Sequence, residues 1–499
     1  MQRARWRNHT GNQRCWPRQR CAPSSLQDVR ALVRRAEAEG STVHAVGSGH
    51  AWSDVALTDG YLVEPGGMRG LLDLDDGTLR PELRDARMVR VLGGTPLREL
   101  NDALDRRGLA LPNMGGYDAQ TIAGVVATST HGSGLDWGPF PDLVRSVELV
   151  VAGGEVVRVE PADGPTDAVA FGARFGADRR LVQDDATFAA ARCTVGTMGI
   201  VYALVIDVRE RFWLDEVRRL RTWNEVRGRL RADGVLGEGG HYELFVNPYA
   251  DARGEHRLIE TWRRACPAPD GLASGLRERH PLTEMLSAFF LTWFVLRVLA
   301  RFAPSLMARR FDRTLADMAD DGYADVSYRV FNIGEANHLP AYSMELGVGL
   351  DGDRHLEAVE RIFAIAAARR KDRRWVHTCP IALRFVGPSE ASISMMHDRA
   401  TMMIELIMVP GTRGGFDLLA EYEHALADLD VRPHWGQFNV LTAERAAELY
   451  PQWDAWRAVA RELNAGGVFD TAFSRRLGIA GGGEALRPAR PPAAAGPAG

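Results

Sequence analysis

Residues 43–63 read Val-His-Ala-Val-Gly-Ser-Gly-His-Ala-Trp-Ser-Asp-Val-Ala-Leu-Thr-Asp-Gly-Tyr-Leu-Val, and they constrain the chain more than any other stretch. A short apolar strand, Val43 to Val46, runs straight into Gly47-Ser48-Gly49-His50. Glycines after a strand let backbone N–H groups turn inward and approach a phosphate closely. A histidine at the rim of that turn is held beside whatever the phosphate carries. The pattern points to a nucleotide cofactor with a nucleophilic ring nitrogen next to it.

The chain has 499 residues, enough for two or three domains. Its 45% hydrophobic content can bury a sizeable core. A formal net charge of −4 leaves no basic excess to neutralise nucleic-acid phosphates. Cys15, Cys21, Cys193, Cys266 and Cys379 lie far apart without Cys-x-x-Cys spacing, which fits neither a disulfide framework nor a zinc site. No metal ligand set is read. With an arginine-rich start and no apolar run behind it, a cytoplasmic protein with reduced thiols is expected. The apolar run Leu286 to Ala300 carries Arg297 and is shorter than the roughly 20 residues that a spanning helix needs. A buried helix is the preferred reading there, a membrane-surface helix the alternative.

Residues 1–210 alternate helices and strands, with glycine turns at strand ends. Ser25 is placed to cap a helix through Val29, Leu32, Val33 and Ala36 that ends at Gly40. Thr95 is placed to cap a second helix with Leu97, Leu100 and Leu104 on one face. Residues 146–159 read as a hairpin across Ala-Gly-Gly. From 211 to 430, strands are expected at His241–Val246, Tyr342–Val348 and Ile381–Val386, and helices at His355–Ala368 and Asp417–Leu429. The Gly/Pro/Ala-rich tail from Gly481 onward has no means of packing a core and is expected to be disordered.

A denser glycine region runs from Asn113 to Gly134. Its small residues permit close approach to a large planar ligand, and its hydroxyls supply donors; a glycine-rich structural turn is the plain alternative. Neither glycine stretch is G-x-G-x-x-G or G-K-[ST]. Five segments in order carry a resemblance: Val46-Gly-Ser-Gly-His50-Ala-Trp-Ser53 with Thr58–Val63, Gly94-Thr-Pro-Leu97, Gln120-Thr-Ile-Ala-Gly124 with Thr130-His-Gly-Ser-Gly134, Pro380-Ile-Ala-Leu-Arg-Phe-Val386, and Pro433-His-Trp-Gly436. Over roughly residues 6–475 the chain resembles FAD-linked oxidases of the vanillyl-alcohol-oxidase type, nearest the sugar-1,4-lactone oxidase and alditol oxidase group.

The resemblance implies an α+β architecture. A two-subdomain FAD-binding (PCMH-type) domain would occupy 1–210. A cap built on an antiparallel sheet would occupy 211–430, a returning segment 431–478 and a tail 479–499. It implies that Gly47, Ser48 and Gly49 cradle the FAD pyrophosphate. His50 would bond covalently to the flavin 8α carbon, or contact it there non-covalently. Ser53, Gly115, Ser129, Thr130, His131, Gly132 and Gly134 would lie along the flavin. Gly196, Gly199 and Ile200 would hold the nucleotide end.

At the substrate end, His434 resembles a flavin-facing histidine, Arg384 a substrate arginine and Glu345 a glutamate of a neighbouring strand; the plain reading of Glu345 is a rim carboxylate paired with an arginine. Thr121 stands where alditol oxidases have serine and would bond a substrate hydroxyl. Arg399 resembles a family arginine of structural character. Two positions depart from the pattern. Gln437 replaces a lysine, exchanging a charged donor for a weaker neutral one. Ala382 replaces a glutamate on the same strand face as Arg384, which puts a polyol substrate in doubt.

The activity implied is oxidation of a CH–OH group on a sugar lactone, alditol or related small alcohol, with hydride passing to flavin N5 while a base takes the hydroxyl proton, His434 being the candidate base or orienting group. O2 or another electron acceptor would reoxidise the flavin. A dehydrogenase of the same fold that does not use O2 and a flavin-binding protein with a decayed redox site are the alternatives. No nucleic-acid partner and no membrane association are expected.

Overall fold

The computed structural model describes residues 5–231, 234–268, 297–299, 301–303, 306, 311–333, 341–372 and 375–480. The expected helix at Leu286–Ala300, apart from 297–299, and the tail from 481 lie outside them. Among the described residues no helix is long and apolar enough to cross a membrane. All five cysteines are free thiols.

The opening Gly-Ser-Gly-His turn leaves a small parallel sheet. Tyr61–Val63 lies between Gln19–Cys21 and Val43–Ala45, parallel to both. A parallel pair needs a crossover, and the helix Leu26–Ala38 is the segment between its first two strands. Ser25 caps that helix as expected, in a capping box with Asp28. Beside this sheet stands a six-stranded one, ordered Arg179–Gln183, Val156–Glu160, Val144–Val150, Ile200–Asp207, Met88–Leu92 and Leu71–Leu72. The hairpin read at 146–159 supplies its second and third strands, Val144–Val150 antiparallel to Val156–Glu160. The second cap reading needs correction: Pro96 holds the N-cap of Leu97–Asp105. The Thr95 hydroxyl instead donates to the Leu92 carbonyl at 2.6 Å.

Residues 213–433 build an eight-stranded sheet in which every adjacent pair is antiparallel. Its order is Asp320–Val326, Trp213–Thr222, Arg257–Cys266, His241–Val246, Ile381–Val386, Thr401–Met408, Tyr342–Gly349 and Arg432–Pro433. The helices Arg354–Lys371 and Gly415–Ala425 bury apolar side chains, among them Leu356, Ile362, Leu418 and Tyr422, in one core with this sheet. The second of these stops short of the expected Leu429, and the last residues form a separate 3-10 turn.

The last part of the chain returns to the first. Trp435, Trp453, Trp456 and Phe473 share the core of residues 6–214. Trp52 N–H donates to the Gly436 carbonyl at 2.7 Å, and Val43 N–H to that of Val468 at 2.8 Å. The Trp435 indole donates to the Ile393 carbonyl at 2.7 Å. These bonds fix the neighbouring His434 between the glycine turn and the large sheet.

Candidate active site

A cavity of ≈ 600 Å³ lies where these layers meet. The Gly47–His50 turn, Gly115, Thr121, Thr130, His131 and Gly196 line one side. Glu345, Arg384, Glu405, His434 and Gln437 line the other. Two positions of the turn call for glycine. A Cβ at Gly47 would collide with Thr121 Oγ1, and Gly49 has φ +71°, a region that favours glycine. The Ser48 hydroxyl is used on the Ala119 carbonyl, which pins the turn to the second glycine region.

Six of the expected cofactor residues do not line this cavity. Ser53 donates to the Trp435 carbonyl at 2.7 Å. Ser129 adopts φ +55°, and its hydroxyl donates to Ser394 Oγ at 2.8 Å. Gly132 packs against Asn113, Gly134 pairs with Val386 in an isolated bridge, and Gly199 sits against the Val150 carbonyl. Ile200 is buried at the start of its strand. Thr121 does line it, but its Oγ1 accepts the Gly124 N–H as the N-cap of Ile122–Ala127. Arg399 donates to the Gly347 and Asp430 carbonyls and ties strand ends together.

His50 Nε2 lies 2.8 Å from Tyr117 Oη, and its ring sits 4.5 Å from that of His9. Burial, and then His9, lowers its pKa to about 3, so the imidazole is neutral. Burial, and then Asp118, raises the Tyr117 phenol. Neither His9 nor Tyr117 is marked by a motif; only the fold shows them beside His50.

The opposite wall is a charge network. Arg384 Nε meets Glu243 at 2.8 Å, and Nη1 meets Glu405 at 2.7 Å and Glu345 at 3.4 Å. Glu345 also faces His131 Nε2 at 3.3 Å and accepts from Gln437 Nε2 at 2.9 Å. Gln437 Oε1 in turn accepts from Ser343 Oγ at 2.7 Å. Burial works to raise Glu345, but His131, His434 and Arg384 outweigh it and hold the carboxylate below its usual range. Burial likewise opposes the charge on Arg384, and Glu243, Glu405 and Glu345 more than offset it.

Glu243 and Glu405 have no sequence signal of their own. Strand register brings them in: Glu243 lies directly opposite Arg384, and Glu405 directly opposite Ala382. The carboxylate missing at 382 is thus replaced by one from the adjacent strand.

The hydrogen bonds also fix two tautomers. Gly436 N–H donates to His434 Nδ1 at 3.0 Å, so the neutral ring carries its proton on Nε2. Burial is the main cause that lowers His434 to about 4, with Glu345 pulling the other way. His131 Nδ1 donates to the Gly132 carbonyl at 2.8 Å, and its Nε2 lies 3.3 Å from Glu345 Oε1. His131, Glu345 and His434 cluster closely enough for a metal ion. A protonated His434 Nε2 and a Glu345 already bonded to Arg384 and Gln437 are poor ligands for one.

The charge cluster, carried by an antiparallel sheet, and the glycine turn thus share one cavity. Residues 17–160 match the FAD binding domain family, and 207–477 match the D-arabinono-1,4-lactone oxidase family. The chain belongs to the D-arabinono-1,4-lactone oxidase family. It is 29% identical to an L-gulono-1,4-lactone dehydrogenase of Mycobacterium tuberculosis, over 95% of this chain and 98% of the relative. It is 28% identical to an alditol oxidase of a Streptomyces species, over 91% and 94%. A crystal structure of cholesterol oxidase from B. sterolicum superposes with a TM-score of 0.70 at 14% identity, covering 95% of this chain and 96% of that one. That likeness is one of fold.

The walls fit FAD. At Gly47 the turn leaves room for backbone alone, and a neutral imidazole stands at its end. The Gly196 position tolerates no side chain either, since a Cβ there would lie 2.6 Å from His44 Cε1.

Proposed function

We propose that this chain is an FAD-dependent oxidoreductase that oxidises a CH–OH group of a small alcohol or lactone. One observation carries the reading: the glycine turn with His50 and the Arg384–Glu345–His434 group line the same cavity. Residues 1–210 act as the FAD-binding domain, 211–430 as the cap and 431–478 as the segment that returns His434 to the site. Gly47, Ser48 and Gly49 offer backbone N–H groups to the pyrophosphate. Gly115, Thr130 and Gly196 flank the ring system and nucleotide. His50 anchors the flavin covalently. When bound, FAD accepts a hydride equivalent from the substrate's carbinol carbon.

The chain's own groups handle the oxygen. His434 Nε2–H and the Arg384 guanidinium donate to the substrate oxygen and stabilise negative charge as it develops there. The His434 tautomer makes it an orienting donor rather than a base. Glu345 takes the proton at Oε1, whose contacts to His131 and Arg384, at 3.3 and 3.4 Å, are its longest and yield to a better donor. Gln437 holds the other carboxylate oxygen in place. Glu405 supports a working site over a decayed one, because it restores a carboxylate beside Arg384. Free thiols support a reducing, cytoplasmic setting. The acceptor, O2 or another oxidant, is read from the rate at which reduced protein reoxidises in air.

Anaerobic mixing with a panel of alcohols and lactones is expected to bleach the flavin; no bleaching by any of them would end this reading. Glu345→Gln is expected to slow bleaching about 100-fold or more. A variant as fast as the parent would remove Glu345 as the base. The pH profile follows from His434. Protonating Nδ1 would set it against the Gly436 N–H, and the folded protein resists this until pH approaches about 4. Turnover should therefore show no acid limb at the ordinary imidazole value of about 6.5. A limb there would contradict the neutral, donating His434.

A further inference from the structure

The large sheet changes character along its cavity face. One cross-strand row holds Phe245, Ala382, Glu405 and Glu345 side by side. Residues two apart on a strand share a face. The next positions are Pro380 on the Ile381–Val386 side and Ile407 opposite Ser343, whose hydroxyl is turned onto Gln437 Oε1 and stays out of the cavity lining, then Val409 and Ala341. The Gly134–Val386 bridge joins the sheet to the glycine region at the far end of Ile381–Val386. The Pro380 end therefore points away from the flavin side. Phe245, Met318, Ala341, Pro380, Ile407 and Val409 all line the cavity. Two polar side chains, Arg218 and Thr314, line the cavity as well, and Arg218 is held 3.1 Å from Glu216. The charged groups of the Glu405–Glu345 row are engaged with their neighbours, Glu405 by Arg384 and Glu345 by His131, Arg384 and Gln437.

We infer that the substrate is an alcohol whose carbinol group sits at Arg384, Glu345 and His434 and whose remainder is apolar, an alkyl chain or alicyclic ring. This rests on the function proposed above, and it departs from the lactone of the family's description. A polyol or sugar lactone would press hydroxyls against Ile407, Val409 and Pro380, where desolvation goes uncompensated. An alkyl substituent would instead be driven into that end by burial. In the reaction the alcohol loses two electrons and two hydrogens. One hydrogen leaves with both electrons as the hydride equivalent that FAD accepts, the other leaves as a proton at Glu345, and the product is an aldehyde or ketone.

The test is anaerobic flavin reduction in the purified full-length flavoprotein, with 1-hexanol, cyclohexanol, xylitol and L-gulono-1,4-lactone as probes. The second-order rate constant for the better of the first two should exceed those for xylitol and the lactone by about 100-fold. Ile407→Asn should narrow that gap about tenfold. Val409→Thr, nearly isosteric, provides the same comparison if the first variant does not fold. Faster reduction by xylitol or the lactone would overturn the inference and leave the proposed function standing. Reduction by dithionite but by none of the four alcohols would overturn both. Soluble variants with an unchanged substrate ratio would overturn the role of the apolar end.

Discussion

Arg384→Met is expected to destabilise the fold by about 3–5 kcal/mol and to reduce turnover about 1000-fold or more. Glu345 and Glu405 are directly opposed across two strands, and like charges so placed repel. Arg384 Nη1 bridges them, while its Nε holds Glu243. The wider network sets the acids Glu216, Glu243, Glu345 and Glu405 against Arg218, Arg263 and Arg384. That is four negative charges against three positive, so the loss of one arginine weighs heavily on the cluster. Removing Arg384 leaves Glu405 without an ion-pair partner among the described residues and Glu345 without its arginine, while Glu243 keeps Arg263; that loss exceeds the net worth of the pairs. Arg384→Lys should recover only part of it, because an ammonium has no planar fork to span strands.

The pH dependence separates this account from a packing defect. In the parent, Glu345 and Glu243 are held below their unfolded values, so their contribution is present at neutral pH and lost on acidification. In the variant the unpaired carboxylates are raised instead, and acidification relieves them. The difference in thermal midpoint between the two proteins should therefore shrink as pH falls from 7 toward 5. A gap that stays constant would point to packing alone.

Legibility in the sequence followed the range of the interactions. The Ser25 cap, the 146–159 hairpin and the Gly47–His50 turn depend on a few consecutive residues, and each is read from the chain directly. Thr95 misled because one local rule competed with another. Pro96 takes the cap beside Thr95, and the positive φ of Ser129 accompanies a bond to Ser394, outside the cavity lining. The substrate wall depends on strand register. Glu405 is 21 residues from Arg384 and Glu243 is 141 away, by their numbers. Nothing local ties either to the site until three strands align. The absence of a carboxylate at Ala382 was visible in the chain; its replacement from the neighbouring strand was not.

His50→Ala is expected to change where the flavin goes when the protein is precipitated with acid: all of it should leave with the supernatant, whereas the parent's pellet stays yellow. His50 sits in the wall beside the glycine turn, with Nε2 held by Tyr117 at 2.8 Å. That leaves Nδ1 as the nitrogen Tyr117 does not engage. Burial and His9 keep the ring uncharged, with a pKa of about 3, so its lone pair is not lost to a proton at neutral pH. A neutral, oriented imidazole meets the requirement for a nucleophile. Tyr117→Phe keeps the aromatic contact but removes the phenol that sets the tautomer. It should slow attachment without abolishing it, visible as a mixture of free and FAD-bearing chains in the mass of the denatured protein. Native His50→Ala should still bind FAD, because the glycine turn is untouched, and should reoxidise its substrate-reduced flavin on exposure to an acceptor. A parent protein that releases all its flavin into acid would reduce His50 to a non-covalent contact, and Tyr117→Phe would then leave flavin release unchanged.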